Sequence, residues 1–339
     1  LTTWSKDLFE KELSVQLGDV FTTSRNSALQ GHVNLGGVKI GTDRRLAKNV
    51  TYPVPVIGGV ADTRSTAELL ANGARITQRA LEPGPYQFSN LYYTSGLNDI
   101  QLITRDASGR EYLTSRSFYV MPSMVAKGDY EWDLTLGKVR EGNQGEDYGT
   151  PAISANVAKG VTDTWTVSGS IQATQENKNV SIGNTVSMGR FGGLSVDVAK
   201  GGQGNATSVG YERRHRAFNI NATHSRYDEN YWQLGDERGE RLFKPKSVTA
   251  DGVGYGHENW RVNATYSHVE RFDGHDSRQV SLKGNWEINS ANRVSGYVSH
   301  DLETGDTTAM VGWQHKFGAN ARGSVSHQFD RNSRTNGSL

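Results

Sequence analysis

From Tyr130 onward the sequence is legible two residues at a time. In "RQVSLKGNWEI" the residues Gln279, Ser281, Lys283, Asn285 and Glu287 are polar. The positions between them, Val280, Leu282, Gly284, Trp286 and Ile288, are apolar or small. "WRVNATYSHVE" sets Trp260, Val262, Ala264 and Tyr266 against Arg261, Asn263, Thr265 and Ser267. The same alternation carries Trp165, Val167, Ile171 and Ala173, then Phe218, Ile220 and Ala222, then Ala309, Val311, Trp313 and Phe317. A period of two predicts β-strands with unlike faces, and no helical period competes with it.

The predicted strands run about nine to eleven residues, beyond the usual five or six and long enough for a tilted strand to cross a bilayer. Turn clusters separate them: "REGNQGEDYG", "KGGQGNA", "RYDEN", "FDGHDS" and "LETGDT". About 14–16 such strands are expected in the chain, in the manner of a barrel with tight turns at one end and longer loops at the other. Two of them, "ELSVQLGDVFT" and "LQGHVNLGGVKIG", precede residue 50. Trp132, Trp165, Trp260 and Trp286 fall near strand ends, where an interfacial girdle places aromatic residues. A soluble β-sandwich also alternates, but its apolar face must fill a core with Leu, Ile and Phe. Here that face is diluted by Gly and Ala, while the opposite one is dense in Asn, Ser, Thr, Gln, Arg and Lys. The expectation is therefore an antiparallel transmembrane β-barrel, all-β and only partly contained in this chain. Trp260, Val262, Val280, Leu282 and Trp286 are expected to face lipid, and Arg261, Asn263, Lys283 and Asn285 the lumen.

One block breaks the pattern. Pro53, Pro55, Pro83 and Pro85, with Pro122 behind them, make five of the seven prolines of the chain. Short strands are readable at "VPVIGGVA", "TAELLANG", "RITQRAL", "YQFSNL", "DIQLITRD" and "REYLTSRSFYV". Short strands punctuated by turn residues describe a small β-sandwich. The organisation expected is thus residues 1–49 as first barrel strands, 50–122 as an inserted Ig-like β-sandwich, and 123–339 as the remaining barrel strands.

Composition narrows the function classes. Lys and Arg number 37 against 36 Asp and Glu, so the basic footprint of a nucleic-acid binder is missing. There is no cysteine, hence no disulfide framework or thiolate chemistry. Mean hydropathy is −0.62 and no run of apolar residues is long enough for a membrane-spanning helix, which leaves a barrel open. The start "LTTWSKDLFEKEL" lacks the marks of a signal peptide, as expected of a mature or truncated chain. No catalytic constellation stands out: the nine His are scattered, and Gly-x-Ser-x-Gly does not occur. His268 and His275 with Asp273 and Asp276 lack a fixed metal-ligand spacing and are expected to belong to a solvated loop. "GVGYG", Gly252–Gly256, is read as a strand and not a phosphate loop, and "ERRHRAF", Glu212–Phe218, as a basic tight turn. No enzyme, cofactor or metal is expected.

The block's motifs carry a resemblance. Pro55-Val56-Ile57-Gly58-Gly59, the Asn72-Gly73 hairpin, Pro83-Gly84-Pro85-Tyr86 leading to Asn90-Leu91, and the Asp106–Gly109 turn resemble the plug domain of the fimbrial outer-membrane ushers. "VQLGDVFTTS" ahead of them and "FGGLSVDVAKG" after them are similar to usher barrel strands. Gly58 and Asn90 depart from the Arg and Asp frequent there. The resemblance implies the central part of an assembly platform of the chaperone–usher pathway in the bacterial outer membrane. Its plug would gate a pore for pilus subunits, and its partners would be periplasmic chaperone–subunit complexes, engaged mainly by domains outside this chain. A porin or transporter with an inserted cork is the alternative.

Overall fold

The computed structural model of the chain describes residues 2–25, 28–141, 148–236, 245–318, 321–329 and 334–338. Residues 142–147 of the "REGNQGEDYG" turn cluster lie outside the described residues. Twenty-three strands and two short 3-10 helices are described, and no α-helix among the described residues. β1 (Thr3–Leu8), β2 (Leu13–Phe21) and β3 (Asn34–Thr42) precede the proline-rich block. Within it lie β4 (Ile57–Ala61), β5 (Ser65–Ala71), β6 (Ala74–Leu81), β7 (Gly84–Phe88), β8 (Gly96–Asp106) and β9 (Glu111–Val120). Next come β10 (Tyr130–Arg140), β11 (Tyr148–Thr162), β12 (Trp165–Thr174), β13 (Lys178–Ser187), β14 (Gly193–Gly201) and β15 (Gly204–Arg214). Then follow β16 (Phe218–Tyr227), β17 (Pro245–His257), β18 (Trp260–Arg271) and β19 (Ser277–Glu287). β20 (Asn292–Asp301), β21 (Thr307–Lys316), β22 (Arg322–Phe329) and β23 (Arg334–Ser338) end the series.

The chain divides into two compact units, Leu1–Ser208 with Asn230–Arg241, and Val209–Glu229 with Leu242–Leu339. In the first, β1, β2, β3 and β10 to β14 pair in that order, each antiparallel to the next. In the second, β16 to β23 do the same in chain order. Among the described residues seventeen strands lie outside the block, and the one ahead of it that alternation did not announce is β1, whose "TWSKDL" is short and charged. β3 pairs directly with β10, from Asp133↔Gly41 to Val139↔Leu35. The block between them is therefore an insertion between two neighbours of one ladder.

Inside the block, β6, β5, β8 and β9 form a four-stranded sheet and β4 with β7 a two-stranded one. Ala67, Leu69, Ile100, Leu102 and Val120 of the first and Ala61 and Phe88 of the second share one core. Asn72 and Gly73 both take positive φ, 53° and 81°, as the two-residue turn joining β5 to β6 requires. Pro85 stands in β7, whose single ladder partner is β4, an edge position of the kind to which proline is confined within sheets. Tyr86 lies opposite Gly59 in that ladder, with its hydroxyl 3.2 Å from Thr104 Oγ1, and Leu91 packs on the core. Pro53 and Pro55 lie in the linker ahead of β4, and Pro83 separates β6 from β7.

The turn between β8 and β9 is held by one carboxylate. Asp106 Oδ1 accepts the Ser108 hydroxyl at 2.6 Å and the amides of Ser108 and Arg110 at 2.9 and 3.0 Å, while Gly109 turns at φ 83°. The Ser108 hydroxyl first, then the Arg110 and Ser108 bonds, lower the Asp106 pKa from 3.8 to about 2. A depressed carboxylate contributes its stability above its ordinary pKa and loses it as pH falls through the folded value. The Asp106 carboxyl is therefore expected to titrate near pH 2 by NMR, with the turn loosening between about pH 4 and pH 2. An ordinary midpoint would mean that these bonds do not persist in solution.

Candidate functional site

The burial pattern of the first unit is inside-out. Across β11, β12 and β13 one face aligns Ser154↔Gln172↔Asn179 and Asn156↔Ser170↔Ser181. All six are buried, Gln172, Ser154 and Asn179 completely. The opposite face aligns Ala155↔Ile171↔Val180 and Val157↔Gly169↔Ile182, and there Ile171, Val180, Val157 and Ile182 are exposed. In water this arrangement forfeits the apolar burial that drives folding. Against lipid, with polar groups bonded to one another on the other side, it is the stable one.

Much of what covers the polar face is backbone. After β2 the chain leaves the ladder at Thr22, whose amide bonds to Val33 O at 3.0 Å. The connection to β3 then lies over the polar rows. Gln172 grips Gly31 from both sides, Nε2 donating to its carbonyl at 2.7 Å and Oε1 accepting its amide at 3.0 Å. A Cβ on Gly31 would sit 1.6 Å from Leu234 O, so no other residue fits there. Gln30 Nε2 donates to Ser181 Oγ at 2.7 Å. Asn179 Nδ2 lies within bonding distance of Leu29 O, the Tyr231 hydroxyl and Trp232 O, and the Tyr231 hydroxyl donates to Leu29 O. Each neutral bond contributes about 0.5–1.5 kcal/mol net, but a buried amide left unpaired costs about 1–3 kcal/mol.

The two linkers of the inserted block meet on the same wall. Inbound, Arg44 pairs with Glu131 of β10, Nη2 donating at 2.9 Å, and also donates to Met124 O at 3.1 Å and to Pro122 O. Glu131 takes a second cation, Arg25 of the β2–β3 connection, at 2.6 Å. Outbound, Ala126 N donates to Thr51 O at 2.7 Å, Val125 N to Thr166 Oγ1 at 3.0 Å and Gly128 N to Gly160 O at 2.9 Å. Val50 N donates to Asn90 Oδ1 at 2.6 Å, which ties the inbound linker to the block itself. Asn90 sits at φ 55°, where a short side chain that bonds the local backbone is favoured.

In the second unit β18 and β19 bring the remaining candidates into register. Trp260↔Trp286 and Val262↔Gly284 share one face with Leu282 and Val280, and Arg261↔Asn285 and Asn263↔Lys283 share the other. Trp260, Val262, Val280, Leu282 and Trp286 are all exposed. Large apolar side chains exposed strand after strand form the kind of patch that marks a membrane-contacting surface. The loop of His275 is tied locally, His275 N to Asp273 Oδ1 at 3.1 Å and Arg271 N to Asp276 Oδ1 at 2.9 Å. Arg25, Arg44, Glu131, Gln172 and Asn179 were not singled out in the sequence. Gln172 and Asn179 do stand at polar positions of alternating strands, but their partners are 141 and 150 residues away in Gly31 and Leu29.

A polar wall, an apolar outer band and a domain inserted between adjacent strands define a transmembrane β-barrel protein of the outer-membrane class. The sequence profile of the outer membrane usher protein family matches residues 2–338, and the chain belongs to that family. It is similar to the outer membrane usher protein FimD of Escherichia coli strain K12, 24% identical over 61% of this chain and 23% of that protein. FasD of Escherichia coli is 21% identical over 93% of this chain and 34% of that one. Among solved structures, the P pilus usher (PapC) translocation pore aligns with a TM-score of 0.58 at 16% identity, over 96% of this chain and 70% of that one. PapC in a P pilus tip assembly intermediate with PapD, PapK and PapG aligns with a TM-score of 0.68 at 17% identity, over 97% and 43%. The chain spans only about a quarter to a third of the length of these curated relatives.

Proposed function

We propose that this chain is the pore-forming centre of a bacterial outer-membrane usher, which passes and assembles pilus subunits delivered by a periplasmic chaperone. The inside-out burial of β11 to β13 carries this reading, because a polar interior is what a folded protein cargo needs to slide past. Residues 1–49 and 123–339 supply barrel strands, and residues 50–122 act as a plug in the lumen. The plug signature, Pro53, Pro55, Asn72, Gly73, Pro83, Gly84, Pro85, Tyr86, Leu91 and Gly109, gives it a separate core and stiff tethers. Arg261, Asn263, Lys283 and Asn285 line the lumen, and Trp260, Val262, Val280, Leu282 and Trp286 contact lipid. Exposed polar contacts between plug and wall are individually weak, about 0–1 kcal/mol each, so the plug is displaced without a chemical step. The role is mechanical and involves no catalysis.

The test is reconstitution of fibres. Cells lacking their own usher, supplied with the full-length gene product, its chaperone and subunits, are expected to display surface fibres by electron microscopy. The 339-residue chain alone, which spans about a quarter to a third of the length of its curated relatives, is expected to display none. A full-length product that inserts and conducts solutes but never yields fibres would instead make it a porin.

A further inference from the structure

The inserted block meets the wall through a thioether laid on a glycine. Met121 is the first residue after β9. With Leu97 of β8, Tyr119 of β9 and Met124 it forms a small apolar cluster, separate from the core of the block. Met121 is 4% exposed and Met124 1%. The seat of Met121 is Gly193, the buried first residue of β14. A Cβ on Gly193 would run into Met121 Sδ and Cε. Gly193 is not among the residues with positive φ, so its backbone would accept a side chain and only the space is taken. An unbranched, polarizable Met side chain is suited to filling such a gap.

The two linkers are held differently. The outbound one, from Pro122 to Asp129, belongs to the wall. Arg44 donates to Pro122 O and Met124 O, and Thr166 Oγ1 accepts the Val125 amide at 3.0 Å. Gly160 of β11 leaves room for the Val125 and Ala126 carbonyls, which a Cβ there would strike. The far end of the inbound linker belongs to the block instead. Tyr52 and Val54 pack on its core, and the Val50 amide bonds to Asn90 Oδ1. A block that moves off the wall therefore carries Val50–Val54 with it and leaves the outbound linker behind. The parting line falls between Val120, in the core of the block, and Pro122, on the wall. Met121 stands on that line.

We propose that Met121 seated on Gly193 is the latch that keeps the plug in place, a positioning residue for gating. The proposal rests on the reading of residues 50–122 as a plug. The latch holds by apolar burial and close packing, so it carries no charge for salt to screen. Displacing the plug draws Leu97, Tyr119 and Met121 away from Met124 and Gly193 together.

The test is planar-bilayer recording of the full-length protein, intact, with residues 53–122 excised, and with substitutions at the seat. Met121→Ala should raise the fraction of time spent open about tenfold or more, the equivalent of losing one buried Met side chain. Gly193→Ala, which forces the thioether off its seat, should act in the same direction. Both effects should persist when ionic strength is raised. Once residue 121 is Ala the seat has room, so adding Gly193→Ala should open the pore no further. Val196→Ala, exposed on the opposite face of β14, should leave the open fraction unchanged. Each variant is first shown to be folded by its heat-modifiable gel mobility, and whichever single variant folds decides. A folded Gly193→Ala or Met121→Ala that opens no more than the parent overturns the latch, as does a double variant whose effects multiply. Failure of both single variants to fold would make the seat part of the barrel's own fold and also overturn it. If excising the plug leaves conductance unchanged, the plug reading itself fails.

Discussion

Replacing residues 53–122 with a flexible linker of about ten residues is expected to give a protein that still inserts in membranes and conducts many-fold more than the intact one. Such a linker reaches ~16–19 Å on average, and the ends to be joined already touch, Ala126 N donating to Thr51 O at 2.7 Å. β3 and β10 hold each other along seven residue pairs that the excision leaves in place. The removed block has its own core, in which Leu69, Ile100 and Phe88 pack without help from the long strands. Planar-bilayer conductance measures the effect, and cells carrying the variant should admit large antibiotics that the outer membrane excludes. Loss of insertion would make the block part of the barrel's fold. Insertion with unchanged conductance would put the block outside the lumen.

The second large effect is on folding into lipid. Leu282 lies near the middle of β19, opposite Ala264 on one side and Val298 on the other, and half of its surface is exposed. Leu282→Arg is expected to cost ~2–4 kcal/mol if this level is the bilayer midplane, falling to ~0–1 near an interface. Ser281→Arg, one residue away on the face shared with Thr265, is expected to be near neutral. Equilibrium folding titrations into vesicles read both. Equal costs would remove the assignment of the two faces.

Leu282 and Ser281 also show what the sequence made legible. Alternation fixes which side chains share a face, so the pairing of Trp260 with Trp286 and of Asn263 with Lys283 extends a pattern already visible in each strand. The turn residues of the block were equally plain, since Asn72-Gly73 and Asp106–Gly109 act over a few residues. What stayed hidden is non-local. Nothing near Gly31 announces that Gln172 will close on it, and nothing near Glu131 announces that two arginines from separate connections will converge there. β1 was missed for a different reason: its Lys6 and Asp7 sit where alternation expects contrast, and the ladder with β2 holds it in place.

The direct ladder between β3 and β10 has a consequence for how the protein is made. A hairpin closes a few residues, but this pairing must close a loop of about ninety, which adds roughly 3 kcal/mol of closure entropy over a tight turn. A block that folds first would bring its two linkers, joined in the folded chain by the Thr51–Ala126 bond, close together and shrink that loop to little more than the linkers themselves. The expected consequence is that the inserted domain acts as an internal clasp during biogenesis: until its own core has formed, the strands on either side of it stay separate meanders, and the seam between them zips last.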